Sequence, residues 1–427
     1  ITIHGELSKP KTIFYELDSN YITTKLSENN LNLSNKDGSF RAIGKFKNGD
    51  INGRYQSTDG EYYNFNMFRD SLFTNEEEEN DDEKINTSAP KTWLPNKAFG
   101  FKIIPEQKNV IFKNATIWTN ETDGILHNSD LIISQGKIIA IGGLLSPLNY
   151  FKEGDFETID ASNLYLTSGI IDEHSHIGIS RGVNEGSQAV SSEVRIGDVI
   201  NPDDHNIYRQ LSGGTVAAQL LHGSANPVGG QSAIIKLRWG ASAEEMKIKD
   251  ADQFIKFALG ENVKQSNWGD FENERFPQTR MGVEQVFFDA FYRAKVYKKA
   301  WQDYNNLSSN KRETAIAPRE DLELNALVEI LNSERFITCH SYVQSEITML
   351  MHVADSMGFT VNTFTHILEG YKVAAKMKEH GAGGSTFSDW WAYKFEVNEA
   401  IPYNATLLNN AGVITAINSD DAEMGRR

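Results

Sequence analysis

Apolar and polar positions change rhythm twice along the chain. Up to residue 74, short alternating runs are interrupted by Asp37-Gly38, Asn48-Gly49, Asn52-Gly53 and Asp59-Gly60. Alternation broken by such pairs is the signature of hairpins, whose two-residue turns need positive φ. A small antiparallel β-rich extension over residues 1–74, carrying no evident chemistry, is therefore predicted. Residues 75–98 lose the alternation, and the run Asn75-Glu-Glu-Glu-Glu-Asn-Asp-Asp-Glu83 marks them as an acidic, solvated linker. Alternation resumes in a second β unit over 99–165, sandwich-like, with strands predicted at 110–118, 130–133 and 137–142. The turn residues Ser134-Gln-Gly136 separate the last two.

From residue 166 the pattern changes again. Apolar strands are predicted over 169–172, 213–221, 232–237, 335–340, 360–366 and 413–420, with a short apolar segment over 253–259. Between them, helical periodicity runs over 283–304, 321–331, 345–357 and 369–380. Strand-helix alternation of this length predicts an α/β architecture, a parallel sheet covered by helices. At roughly 250 residues its natural closed form is a (β/α)8 barrel. The sequence stops at Arg427, soon after the last predicted strand, so the barrel is expected to be truncated after strand 8.

Composition narrows the function classes. With 427 residues, 39% hydrophobic, and a mean hydropathy of −0.45, the chain is expected to be a soluble globular protein with a sizeable core. No run of eighteen apolar residues occurs, so no membrane span is expected. A net charge of −16 argues against a nucleic-acid partner, whose phosphates need a basic face. The single cysteine, Cys339, excludes an intrachain disulfide. The chain opens at Ile1 rather than Met, and with its β-rich extension it leans towards an exported, periplasmic protein. Homo-oligomerisation is left open.

The candidate chemistry sits at predicted strand ends. His174 and His176, two apart on a strand, project to one face and can share one cation. His340, His366 and Asp420 each close an apolar strand in the same way. In a barrel all strand C-termini converge on one face, so these five would meet. Histidines plus an acid suit a divalent metal that acidifies water, whose proton a carboxylate could take. Taken singly, each has a plainer reading: an ordinary polar residue at a strand end, or for Asp420 a turn or helix cap. His222 ends another strand, and Asn226 lies in the Gly-rich Ser224-Ala-Asn-Pro-Val-Gly-Gly-Gln231. These two are the substrate-binding candidates, beside the alternative of a plain turn. Ser385-Thr-Phe-Ser-Asp-Trp-Trp391 is read as the seventh strand and its loop, and Trp390 and Trp391 are expected to pack rather than bind.

The phrase Ser168-Gly-Ile-Ile-Asp-Glu-His-Ser-His176, followed by His340, His366 and Asp420 in that order, resembles the amidohydrolase superfamily. The likeness is to its imidazolonepropionase-like and prolidase-like branch and runs from about residue 109 to 427. It implies that His174, His176, His340 and His366 ligate metal, and that Asp420 is a ligand, the general base, or both. It also implies a bridging ligand, either a carboxylated lysine or a glutamate. Lys236 and Glu261 both lie near predicted strand ends, and Glu261 is preferred because a glutamate needs no modification. By the same resemblance the protein would be a hydrolase of amide or cyclic amide C–N bonds in small molecules. It would use one or two divalent ions, zinc being the expected metal. A prolidase-like dipeptidase is the alternative activity. A non-catalytic binding or scaffold protein on the same barrel is the rival from another class.

Overall fold

Turn chemistry builds the N-terminal unit, residues 1–89. The computed structural model describes residues 2–4, 11–13, 22–27, 29–35, 40–57, 60–68, 92–264, 275–387 and 393–423. Strands β1 (Thr2–His4) and β2 (Lys11–Ile13) pair antiparallel. Strands β3 (Ile22–Ser27), β4 (Asn30–Asn35), β5 (Arg41–Lys47), β6 (Asp50–Gln56) and β7 (Tyr62–Met67) form an antiparallel meander. The turn between β5 and β6 is Asn48-Gly49, at φ 56° and 98°, the double positive φ expected of a type I′ hairpin. The pair Asn52-Gly53 is not a turn. It lies inside β6, where a Cβ on Gly53 would stand 2.2 Å from the Ile43 carbonyl oxygen, so close strand approach explains that glycine. The Asp37-Gly38 pair, Asp59 and the acidic run 75–83 lie outside the described residues.

Residues 90–427 form the second unit. Its β layer contains β8 (Val110–Trp118), β9 (Ile125–Ser134) and β10 (Lys137–Gly142), paired antiparallel. Strands β11 (Glu157–Asp160) and β12 (Tyr165–Leu166) both run parallel to β8. Gln135 and Gly136, at φ 48° and 73°, make the β9–β10 hairpin.

The remaining strands and helices alternate except over residues 215–236, where three strands follow one another. In order they are β13 (Ile170–Ser175), α1 (His205–Ser212), β14 (Thr215–Leu220), β15 (Val228–Gln231), β16 (Ala233–Lys236), α2 (Ala243–Met246) and β17 (Gln253–Ala258). Then follow α3 (Arg280–Asn305), α4 (Ser309–Arg312), α5 (Leu322–Leu331), β18 (Arg335–His340), α6 (Gln344–Met357) and β19 (Thr363–Thr365). The series closes with α7 (Ala374–His380), β20 (Gly383–Phe387), α8 (Asn404–Asn410) and β21 (Thr415–Asn418). Strands β17 to β21 pair in parallel, each with the next, and β13 pairs parallel to β14.

One departure from a uniformly parallel sheet stands out. Strand β16, predicted as a barrel strand over 232–237, runs antiparallel to β14, and β15 runs antiparallel to β17. Residues 221–232 between β14 and β16 include β15 and leave too little chain for the helical crossover that a parallel pair needs. The main core lies between the parallel strands and α3, α5 and α6. On α3, Val283, Val286, Phe287, Ala290 and Phe291 recur at helical spacing and are all buried. Phe287 meets Phe257 of β17, with ring centroids 5.5 Å apart, and Phe291 stacks on Phe359 at 4.0 Å.

Candidate metal centre

The site is assembled by strand ends. His174 lies on β13 and His176 just beyond it, before a tight turn in which Gly178 adopts φ 62°. The Gly178 amide donates to Asp204 Oδ2 at 2.7 Å, and Asp204 also caps α1, so the helix start fixes the loop that carries His176. His340 is the last residue of β18, His366 follows β19, and Asp420 follows β21. His366 and Asp420 have φ of 59° and 51°. Left-handed backbone is uncommon for non-glycine residues, and its occurrence at both positions marks local strain of the kind that clusters at functional sites.

These side chains converge. His174 Nε2 lies 3.3 Å from His176 Nε2 and 3.4 Å from Asp420 Oδ1. His176 Nε2 is 3.6 Å from the same oxygen, and His366 Nε2 is 3.4 Å from Asp420 Oδ2. The His340 ring packs edge-on against His366, with centroids 5.2 Å apart. His176 Nδ1 donates to the Leu221 carbonyl at 2.9 Å, which fixes its Nε2 as a lone pair facing the cluster. Among the described residues, ligand atoms of His174, His366 and Asp420 all lie within 4.8 Å of one another.

Lys256 completes the set. It is fully buried on β17, and its Nζ lies 3.3 Å from His174 Nε2. Burial, with the Lys256 charge next, holds the imidazoles of His174 and His176 well below their ordinary pKa. Burial likewise holds down His340, where Lys256 is again the next cause, and His366, where the nearby His340 precedes it. Neutral imidazoles are lone-pair donors. Burial also pushes the Asp420 carboxyl up, against the pull of Lys256, and pushes Lys256 down, against the pull of Asp420 and Glu173. Three of these imidazoles, His174, His176 and His366, gather around the Asp420 carboxylate. Among the described residues, His340 Nδ1 is buried without a hydrogen-bond partner. That donor set of nitrogens and one carboxylate fits a divalent metal of the zinc type.

The structure therefore brings His174, His176, His340, His366 and Asp420 together, and corrects the choice of lysine or glutamate beside them. Lys236 is exposed on β16. Glu261 stands on the turn Glu261–Val263 after β17, its amide donating to Glu396 Oε1 at 2.8 Å. Among the described residues, no hydrogen bond or ion pair links its carboxylate to the histidines. Lys256, rather than Lys236 or Glu261, is the residue whose side chain lies beside His174. Its signal was present in the sequence: a lone charge inside Phe254-Ile-Lys-Phe-Ala258, a run apolar enough to be buried on both faces.

His222 and Asn226 are also placed differently from expectation. His222 Nδ1 donates to the Gly223 carbonyl and Nε2 accepts from the Glu185 amide, both at 2.9 Å. Asn226 Nδ2 faces the Glu185 and Gln188 carbonyls at 2.6 and 2.7 Å and Ser191 Oγ at 3.1 Å, while Oδ1 has no partner among the described residues. Both side chains are buried and brace the loop over 184–191, which Arg275 grips as well through Gly186, Gln188 and Ala225 carbonyls. Trp390 and Trp391 lie outside the described residues. The aromatic wall is instead Phe387, stacked 4.4 Å from the His366 ring, and Tyr342, 4.6 Å from His340.

Comparison with known proteins agrees with this geometry. No protein-family model matches the sequence. The chain is 27% identical over 351 residues to the amidohydrolase tasK of Hapsidospora irregularis, covering 74% of this chain and 35% of that protein. It is 33% identical over 98 residues to an imidazolonepropionase of Brucella anthropi, covering 22% of each. The chain thus spans about a third of the length of the first curated relative and about a fifth of the second. The crystal structure of an amidohydrolase from Thermotoga maritima superposes with a TM-score of 0.64 at 28% identity, over 74% of this chain and 80% of that one.

Proposed function

We propose that this chain, a member of the amidohydrolase superfamily, is a metal-dependent hydrolase of C–N bonds in small amides or cyclic amides. Its parallel strands are read as the wall of a (β/α)8 barrel, with the metal centre at their C-terminal ends. One observation carries the reading: buried His174 and His366 and the half-buried His176 surround Asp420 beside a buried lysine, with buried His340 packed against His366. His174, His176, His340 and His366 would hold one or two ions, with zinc the metal their donors favour. When bound, such an ion supplies Lewis-acid polarisation of a carbonyl and acidifies water.

The chain's own residues supply the rest. Asp420 accepts the proton of the attacking water at a carboxylate oxygen and returns it to the leaving nitrogen, and its burial-raised basicity suits both transfers. Lys256 as an ammonium repels a cation. Burial favours its neutral amine, which can add carbon dioxide to form a carbamate with release of a proton, turning a cation into an oxygen ligand. The aromatic faces of Tyr342 and Phe387 exclude water on the side of His340 and His366. A second reading, a dipeptidase-like substrate, is favoured by Lys394. Its Nζ lies 4.5 Å over the Tyr342 ring and 3.1 Å from Glu396, leaving protons for a substrate carboxylate.

The test is metal content by elemental mass spectrometry, intact mass before and after acid, and turnover of N-acyl amino acids, dipeptides and cyclic amides. One or two equivalents of zinc and turnover of at least one class are expected. An acid-labile gain of one carbon dioxide is expected if two ions are held. A protein that takes up no metal on supplementation and turns over none of the panel would be a binding protein, and the hydrolase reading would fall.

A further inference from the structure

Strand β13 carries a bulge at the site. Asp172 pairs with Ala218 and Ser175 with Leu220, so two residues of β13, Glu173 and His174, stand opposite the single Gln219. In a regular strand neighbouring side chains point to opposite faces. Here both turn towards the strand ends of β19 and β21. Glu173 Oε1 accepts from Thr365 Oγ1 and from Asn418 Nδ2, both at 3.1 Å, while His174 Nδ1 lies 3.0 Å from the same Thr365 Oγ1. Among the described residues no backbone ladder joins β13 to β21, so the Glu173–Asn418 bond is a polar link across that seam.

We infer that Glu173 is a positioning residue that acts through Thr365 to hold His174 as the Nδ1–H tautomer, keeping its Nε2 lone pair aimed into the metal centre. The inference rests on the proposed metal-dependent reading and deepens it. The argument is one of proton counting. An amide nitrogen such as Asn418 Nδ2 can only donate, so Glu173 Oε1 is an acceptor. The Thr365 hydroxyl has one proton, and it is directed at that oxygen. Thr365 Oγ1 can then meet His174 Nδ1 only as an acceptor, which requires the proton to sit on Nδ1. Without Glu173 the hydroxyl is free to turn and donate to Nδ1. The imidazole proton would then move to Nε2 and point into the cluster, where it blocks a ligand. His176 reaches the same state through a main-chain carbonyl, so β13 prepares its two histidines by two different devices.

The test uses the full chain with 15N-labelled histidine, together with Glu173→Leu, Glu173→Gln and Thr365→Val. Imidazole 15N shifts of the metal-free protein report the tautomer of His174, and chelator competition reports zinc affinity. His174 is expected as Nδ1–H in the wild type and in Glu173→Gln, which keeps the acceptor. In Glu173→Leu and Thr365→Val the tautomer should become mixed and zinc affinity should fall about 10–100-fold, as for other outer-shell partners of ligating histidines. The double variant Glu173→Leu/Thr365→Val should lose no more than Thr365→Val alone, because the carboxylate works through the hydroxyl. An Nε2–H tautomer in the wild type overturns the inference, as do a wild-type tautomer and affinity in Glu173→Leu. Should Glu173→Leu not fold, Thr365→Val still decides, since an unmoved tautomer there sinks the relay. A wild type that binds no zinc defeats the hydrolase reading, while the 15N shifts still judge the relay.

Discussion

Two carboxylates in the larger unit, one buried and one half-buried, show how differently one chain can treat the same group. Asp130, in the β layer, is 1% exposed and fully partnered: Lys113 Nζ at 2.5 Å, the Asn114 amide at 2.9 Å and the Leu145 amide at 2.8 Å. Burial acts to raise its pKa, but the Lys113 bond and the two amides outweigh it and hold the carboxyl below its ordinary value. Asp420 faces imidazole lone pairs instead, on left-handed backbone, and burial leaves its carboxyl raised. The chain completes the electrostatics of the first and leaves the second to be completed by something else. That contrast separates a structural ion pair from a working site more cleanly than burial does.

The largest expected effect tests the incomplete side. Asp420→Asn should keep the shape, leave zinc held by the histidines, and lower turnover on the order of 10²–10⁴-fold through loss of the proton acceptor. Turnover at the wild-type rate with zinc in place would remove Asp420 from the chemistry and dissolve the comparison. On the completed side, Asp130→Ala should cost about 1–3 kcal/mol of stability, because it leaves the Asn114 and Leu145 amides without their acceptor while Lys113 keeps the Leu145 carbonyl. Zinc stoichiometry should not change. The acid limb sharpens the point. A carboxyl depressed by folding contributes stability that is full above its unfolded pKa of about 3.9 and is lost as pH falls through the lower folded value. Denaturant titrations between pH 7 and 2 should therefore show the wild type losing part of its advantage over Asp130→Ala below about pH 4. A constant gap across that range would mean that Asp130 acts through packing alone.

An effect of similar size concerns the loop over 184–191. Asn226→Ala removes the amide donor that the Glu185 and Gln188 carbonyls and Ser191 Oγ share, and should cost about 1–3 kcal/mol. Its effect on kcat/KM should follow the loss of fold, since the amide group is turned to the loop. A large fall in kcat/KM at unchanged melting temperature would return Asn226 to the substrate, through its unpaired Oδ1.

Much of this was legible in the sequence, for identifiable reasons. Period-two and helical patterns located the parallel strands and the long helices because their burial is one-sided or complete. The five ligand candidates stood at strand ends, where the topology alone brings them together. The antiparallel β15 and β16 were not legible as such, because an apolar run carries no sign of its direction. Asn52-Gly53 misled as a turn because a glycine demanded by close strand approach has the same letter as one demanded by positive φ. His222 and Asn226 looked like mouth residues because the sequence does not show which backbone groups a buried polar side chain will meet.

The smallest expected effect separates two lysines that the sequence sets twenty residues apart, on β16 and β17. Lys236 is exposed on β16, and Lys236→Ala should change stability by no more than about 0.5 kcal/mol and leave zinc content untouched. Lys256 is fully buried, and its ammonium faces His174, with Asp420 and Glu173 close enough to act on it. Lys256→Met, close in volume and free of charge, should therefore keep the fold and reduce the zinc held per chain, as measured by elemental mass spectrometry on both variants side by side. Equal zinc in the two would place Lys256 with Asp130 and Lys113, as a buried charge that the fold merely tolerates. Unequal zinc would place it with Asp420. A lysine in an apolar strand would then be as informative a metal-site signal as the His-x-His pair, provided that both faces of the strand are buried.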